Sequence, residues 1–434
     1  MKNSGRYLDR MSKARSRSVT AVLTFAVTLV AVALATPSAQ AQTFTLLYSF
    51  QGPPLDGLNP SAELVFDQAG NLYGTTGHGG STGYAGTVFK LDASGIETML
   101  HSFAGTPGDG SSPAGQLVRR AGNIFGVTAG GGVNTCRACA GYGTIFEISH
   151  STETILYSFT TSEGNLPQGL VSDSSGTLYG ATAYGGIGTS PPACDTRGCG
   201  AVFQFSEGKE TVLYSFAGYP DGQTPNGKLL VDASGNLYGT TQAGGAFNMG
   251  TVFILSPNSD GSWTEKLLYS FRGRSDGRLP LGGLIMDSKG SLYGTTSIGG
   301  LSVKLTNCAN GCGVVFKLVQ NPDGTWSERA LYKFRTNPDD GTFPTGILVR
   351  DRHGNLFGTT SFGGGPTSAG TVFEVDSAGT EKVLHNFVGG TADGTEPAAG
   401  LVTDADGNLY GTTQWGGSGT GCAGGCGTVF KITP

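Results

Sequence analysis

The chain has 434 residues, 74 of them glycine, with only 14% charged residues and a formal net charge of −5. Sparse, lysine-poor charge argues against nucleic acid as a partner, because phosphate contacts need clustered Lys and Arg. Regular apolar runs exclude a disordered chain, and this much glycine between them reads as all-β with many tight turns.

Residues 1–41 differ in kind from the rest. Lys2, Arg6, Arg10, Lys13, Arg15 and Arg17 make a basic start, Val19 to Ala35 is uncharged and apolar, and Ala39-Gln40-Ala41 supplies an A-x-A signature. This pattern predicts a secretory signal peptide cut after Ala41. An uncleaved anchor is the alternative, but the apolar run is short for a membrane span of about 20 residues. No later stretch is long and apolar enough to cross a bilayer. Residues 42–434 are therefore expected outside the cytoplasm, extracellular or periplasmic.

The remainder is a repeat. Asn71-Leu72-Tyr73-Gly74-Thr75-Thr76 recurs with small changes from Asn123, Thr177, Asn236, Ser291, Asn355 and Asn408. Gly86-Thr87-Val88-Phe89 recurs from Gly143, Gly200, Gly250, Gly313, Gly370 and Gly427. Leu47-Tyr48-Ser49-Phe50 recurs around Tyr157, Tyr214, Tyr269 and Tyr332, with His101 and His385 in the tyrosine slot. Each signature appears seven times, at a period of about 55 residues.

In the first period the predicted strands are Leu64-Phe66, Leu72-Thr76, Thr87-Leu91 and Thr98-Phe103. Turn residues separate them, and the middle strands are apolar on both faces, as in a sheet covered on each side. Four such strands repeated seven times predict a seven-bladed β-propeller of antiparallel blades. A parallel β-helix would repeat every 20 or so residues. The first strand after the leader, Phe44 to Phe50, is a fourth strand without a blade, and Gly427 to Ile432 is a third strand without a fourth. Pairing them completes the seventh blade and removes two open edges. One propeller domain over residues 42–434, monomeric, is the expectation.

Leu-Tyr-Ser-Phe, Asp-Gly-x-x-Pro, Gly-Asn-Leu-Tyr-Gly-Thr-Thr and Gly-Thr-Val-Phe together resemble the GloVer tandem repeat of choice-of-anchor bacterial proteins. The resemblance spans the sequence after the leader and implies a secreted or surface-exposed product, with no defined activity and no catalytic residues to carry over. This chain ends two residues after its last strand, without a sorting helix, so anchoring by that route is not expected.

The eight cysteines fall in four close pairs: Cys136/Cys139, Cys194/Cys199, Cys308/Cys312 and Cys422/Cys426. All lie in the loop between second and third strands, and in an exported chain local disulfides are expected. Zinc would need adjacent pairs, which only the second and third repeats supply, and a redox Cys-x-x-Cys belongs at a helix start. An acid-Gly-x-x-Pro motif follows each fourth strand, at Asp56, Asp109, Glu163, Asp221, Asp276, Asp340 and Asp393. Seven carboxylates at one mouth suggest Ca²⁺, but turn chemistry accounts for the motif more simply. Asp404-Ala405-Asp406-Gly407 resembles the opening of a calcium loop yet aligns with ordinary turns. No metal or other cofactor is expected. Gly79 to Gly83 matches G-x-S-x-G, but in a glycine loop rather than at a strand–helix elbow.

Positions that differ among the repeats are free to serve function. Before each Gly-Gly of the long loop stand His78, Gly130, Tyr184, Ala243, Ile298, Phe362 and Trp415. Of these, His78, Tyr184, Ile298, Phe362 and Trp415 are candidate ligand-binding residues, on a face suited to a glycan or a protein; packing into neighbouring loops is the alternative. A second variable ring opens the first strand: Glu63, Gln116, Gly169, Lys228, Gly283, Gly346 and Gly400. It should line the central channel, with Glu63 and Lys228 its charged members. The leading expectation is a secreted binding or scaffold propeller. An extracellular lyase or hydrolase acting on polysaccharide, with Glu63 and Lys228 at the channel mouth, is the alternative, and a purely structural surface protein is the third reading.

Overall fold

The computed structural model describes residues 42–434 apart from 82–83, 134–140, 161, 187–193, 195–196, 301–307, 309 and 336–339. Seven four-stranded antiparallel blades form a β-propeller, and the described residues contain no helix. Blade 1 runs outward through Val65–Phe66, Leu72–Thr76, Thr87–Leu91 and Glu97–Ser102. Blades 2 to 6 follow in chain order, and blade 7 is composite. Its inner strands Val402–Thr403, Leu409–Thr413 and Thr428–Thr433 accept Thr43–Ser49 as the outermost strand. The register sets Phe44 opposite Ile432, Leu46 opposite Phe430 and Ser49 opposite Thr428. The Gln42 amide also donates to the carbonyl of Leu384 in blade 6.

The repeated motifs explain why the blades pack alike. The phenylalanine that ends each fourth strand meets the Gly-Thr-Val-Phe phenylalanine of the next blade edge to face. These pairs are Phe50–Phe89, Phe103–Phe146, Phe159–Phe203, Phe216–Phe253, Phe271–Phe316, Phe334–Phe373 and Phe387–Phe430. Their ring centroids lie 5.0–5.2 Å apart. Edge-to-face contact places the positive ring edge on the negative face, and full burial adds the hydrophobic term. The ring of the third-strand phenylalanine lies across the second strand, which is why Tyr-Gly-Thr needs its glycine: a Cβ on Gly239 would stand 2.5 Å from Phe253.

Each fourth strand is bulged at one leucine, as between Val88↔His101 and Phe89↔Met99, where Leu100 is unpaired. The same shift occurs in all seven blades and turns the outer strand toward its neighbour. Threonine pairs close the upper ends of the middle strands. Thr76–Thr87, Thr128–Thr144, Thr241–Thr251, Thr360–Thr371 and Thr413–Thr428 share buried hydroxyl bonds of 2.7–2.8 Å. Blades 3 and 5 have Ala201 and Val314 as the second partner, and there the Thr182 and Thr296 hydroxyls are left unpartnered.

The expected first strand is present as Val65–Phe66, and the structure adds a second pairing above it. In blades 1, 6 and 7 the strand breaks into an upper pair, such as Gly57–Leu58 with His78–Gly79, and a lower pair, Val65–Phe66 with Leu72–Tyr73. Near the axis the backbones themselves touch. A Cβ on Gly346 would stand 2.7 Å from the backbone of Ala399 and Gly400, so ladder pairing gives way to close approach.

Candidate functional site: the glycine-loop face

Two kinds of connection share one face of the ring: the acid-Gly turns between blades and the glycine loops within them. They are stitched together, the N–H of the second loop glycine donating to the carbonyl of the turn aspartate. Gly80 to Asp56, Gly132 to Asp109, Gly245 to Asp221, Gly364 to Asp340 and Gly417 to Asp393 span 2.7–2.9 Å. The turn carboxylates are committed locally. Asp56 accepts N–H bonds from Gln51 at 2.8 Å and Gly57 at 2.6 Å, and the Tyr48 hydroxyl at 2.8 Å. Asp221 does the same with Ala217, Gly222 and Tyr214. Asp404 likewise serves its own hairpin, accepting from Asp406, Asn408 and Tyr410. The Gly79–Gly83 segment runs into residues outside the described set.

The seven variable residues before Gly-Gly occupy one register. His78 pairs with Leu58, Gly130 with Ser111, Tyr184 with Asn165, Ala243 with Gln223, Phe362 with Thr342 and Trp415 with Thr395, while Ile298 bridges Arg278. Their availability differs. His78 and Phe362 are exposed, whereas Tyr184, Ile298 and Trp415 are half-buried. The Tyr184 ring is covered by the Arg197 guanidinium 3.9 Å from its centroid, and Phe362 stands edge-on to Phe343 at 5.8 Å.

Beside this ring lies a second one that the sequence did not reveal. The residue before the proline of each acid-Gly-x-x-Pro motif has a left-handed backbone: Asn59, Ser112, Leu166, Thr224, Leu279, Phe343 and Glu396, with φ between 52° and 59°. For a residue with a Cβ this conformation costs about 1–2 kcal/mol. A bond from each N–H to the preceding blade holds it, as from Leu279 to Met249 at 3.2 Å and Glu396 to Ala369 at 2.8 Å. The chain uses glycine freely at other positive-φ positions, yet at none of these seven. The same strained backbone is kept at seven equivalent places, always with a side chain and a different one in most blades.

Apolar exposure has the same bias. Among the described residues ten large apolar side chains are exposed, and Leu55, Tyr84, Val133, Leu166, Tyr219, Phe247, Phe362 and Val388 all lie in these turns and loops. Only Ile96 and Val319 lie toward the opposite face.

At the axis, Glu63, Gln116, Lys228, Gly283, Gly346 and Gly400 line a cavity of about 90 Å³, with Gln168 rather than Gly169 from blade 3. The Lys228 ammonium donates to Gln116 Oε1, whose amide donates to the Leu64 carbonyl at 3.0 Å. Burial pushes the Glu63 pKa up, against the opposing pull of Lys228 and the Ile347 N–H. A larger cleft, about 530 Å³, opens on the opposite face beside Asp67, Arg119 and Arg120. Its cations are already engaged: Arg119 lies over the Tyr73 ring and Arg120 donates to the Gly176 carbonyl.

Between blades, each fourth-strand Tyr or His faces the turn acid, and the next blade adds a glutamate at every interface except the one where Phe44 lies against His385. Glu97, Glu210, Glu265, Glu328 and Glu381 are half-buried, and burial followed by the neighbouring turn acid pushes each to about 7.

Cys194–Cys199, Cys308–Cys312 and Cys422–Cys426 are disulfide pairs with Cα atoms 5.2–5.4 Å apart, a separation a disulfide spans without backbone movement. Cys136 and Cys139 lie outside the described residues. Such pairs fit an oxidising compartment. Among the described residues no helix is long and apolar enough to cross a membrane.

The Gloeobacter/Verrucomicrobia repeat model matches residues 35–191, 140–306 and 301–434. The chain belongs to this repeat family. No curated protein sequence matches it. Among solved structures it is similar to a gluconolactonase of Xanthomonas campestris, at 16% identity over 67% of this chain and 78% of the other, with a TM-score of 0.39. PorZ, a surface component of the type-IX secretion system of Porphyromonas gingivalis, gives 15% over 87% of this chain and 47% of its own, with a TM-score of 0.46. A Thermus thermophilus protein described as an oxidoreductase (glucose dehydrogenase) gives 14% over 90% and 100%, with a TM-score of 0.42. At these identities the likeness concerns architecture alone.

For this Gloeobacter/Verrucomicrobia repeat protein, sequence comparison among blades found the loop ring but not the strained ring beside it. Leu166, Leu279 and Phe343 are residue types that avoid a left-handed backbone, so composition gave no warning. The available signal was variability itself, at the second x of Asp-Gly-x-x-Pro.

Proposed function

We propose that this protein is an exported binding or scaffold propeller that takes its ligand, a protein or a glycan, on the glycine-loop face. One observation carries the reading: among the described residues, eight of ten exposed large apolar side chains lie in the loops of that face. Exposed apolar side chains gathered on one face rather than shared between both favour that face as the interaction surface. Leu55, Val133, Leu166 and Val388 are aliphatic and spread round the rim, which suits a protein surface better than stacking on sugar rings. The basic, then apolar, leader and the cysteine pairs support export. The enzyme alternative is less well supported. A cavity of about 90 Å³ around Glu63 and Lys228 falls short of the 300 Å³ or so at which ligand sites begin.

The test uses the purified protein against a glycan array, with calcium and with chelator, and against an immobilised cell-surface protein fraction. Binding that drops at least tenfold in a Phe362→Ser, Phe247→Ser double variant with unchanged melting temperature supports the face. Binding that survives the double change, or that depends instead on Glu63→Gln, overturns it.

A further inference from the structure

The seven polar stations between blades are built from the same three positions, and one of them departs from the rest in a way that suits a metal ion. In five stations a tyrosine hydroxyl donates to the turn acid at 2.5–3.0 Å: Tyr48 to Asp56, Tyr157 to Glu163, Tyr214 to Asp221, Tyr269 to Asp276 and Tyr332 to Asp340. In the sixth, His385 Nε2 lies 3.2 Å from both oxygens of Asp393, and the position of the neighbouring glutamate is taken by Phe44, stacked flat on the imidazole at 3.9 Å. The seventh station, between blades 1 and 2, alone combines a histidine with both carboxylates.

There His101 Nε2 stands 3.5 Å from Asp109 Oδ2, longer than a good hydrogen bond. One donor atom each from His101, Asp109 and Glu153 lies within 4.8 Å of the others. His101 Nε2 and Glu153 Oε1 are both shielded from solvent and make no hydrogen bond. The equivalent glutamate oxygen also lacks a hydrogen bond at Glu210, Glu265, Glu328 and Glu381, so the histidine sets this station apart. Its Nε2 has only the 3.5 Å contact with Asp109, and a cation would satisfy it and the Glu153 oxygen together. Asp109 is already oriented, since Ala104 and Gly110 donate N–H bonds to its two oxygens at 2.6 Å. Fixed outer-shell bonds of this kind preorganise a metal ligand.

We propose that the blade 1–blade 2 station binds one Zn²⁺ through His101 Nε2 and the carboxylates of Asp109 and Glu153. One imidazole and two carboxylates match the nitrogen and oxygen donors zinc takes, whereas Ca²⁺ prefers oxygen throughout. The two carboxylate charges neutralise the ion. Three protein ligands leave the fourth tetrahedral position to water.

The test is calorimetric titration of tag-free purified protein, stripped with chelator, its cysteines oxidised and any residual thiol blocked, with zinc alone as the probe. One equivalent of Zn²⁺ should bind and raise the melting temperature. His101→Tyr installs the residue that five other stations carry and should abolish binding while keeping the zinc-free melting temperature. Glu153→Gln should weaken binding at least tenfold, and His385→Tyr should leave it unchanged. Absence of zinc uptake by the wild type overturns the proposal. So does wild-type affinity in His101→Tyr or in Glu153→Gln, and loss of binding in His385→Tyr. If His101→Tyr fails to fold, Glu153→Gln decides alone.

Discussion

Between neighbouring blades, the buried phenylalanine contact and the polar station outside it follow different rules. The phenylalanine pair is repeated seven times within 0.2 Å. The station changes from tyrosine to histidine, from aspartate to glutamate at Glu163, and from glutamate to phenylalanine at Phe44. Seven wedges close into a ring only if each interface sets nearly the same angle, and a close-packed contact transmits any misfit. The station's tyrosines, histidines and glutamates are only half-buried, unlike the fully buried phenylalanines, so they can change without moving the blades. The apolar contact fixes the geometry, and the polar one is free to diverge.

The largest effect should come from removing one side of the closing interface. Deleting residues 43–50 takes away Phe50 and the outer strand of blade 7, leaving Phe89 and Thr428–Thr433 uncovered. The ring should open, seen as a much lower melting temperature and association through the bare edge in size-exclusion chromatography. An unchanged melting temperature with monomeric elution would show that the closing contact does not hold the ring. Next in size, Phe271→Ala should cost about 3–5 kcal/mol in denaturant unfolding, far more than Tyr269→Phe, which removes only the station's 2.9 Å bond to Asp276.

The stations should show themselves through pH. Glu210, Glu265 and Glu328 carry folded pKa values of about 7 against an ordinary 4.5, through burial and then the nearby turn acid. The folded chain therefore holds more protons than the unfolded one between these values. Their stabilising contribution is complete below about 4.5 and is lost as pH rises through 7. The melting temperature at pH 5 should exceed that at pH 8, and Glu265→Gln should flatten the difference. A profile that rises toward pH 8 would contradict this account. The smallest effect lies within the core. Val314→Thr supplies the hydroxyl that Thr296 lacks in blade 5, as Thr428 does for Thr413, and should stabilise by about 1 kcal/mol, read as a higher urea midpoint.

Much of this was written plainly along the chain. Seven copies of Asn-Leu-Tyr-Gly-Thr-Thr and Gly-Thr-Val-Phe determined the blades, because period-2 strands with both faces apolar must be covered on each side. The unmatched Phe44 to Phe50 determined the closure, since a lone fourth strand and a lone third strand share one solution. Asp-Gly-x-x-Pro determined the turns, and three of the four cysteine pairs their local bridges. Tertiary structure alone decided the rest. It set φ near 55° at Leu279 and Phe343, where an inter-blade N–H bond overrides the residues' own preference. It placed Arg197 over Tyr184 and left Phe362 open, which no spacing of Gly-Gly foretells. It brought Glu153 from one blade to His101 and Asp109 of the interface before it, some fifty residues apart along the chain. Local sequence dictates a strand and its turn through sterics and burial pattern; which side chains of separate blades meet depends on the angle at which the packed rings close.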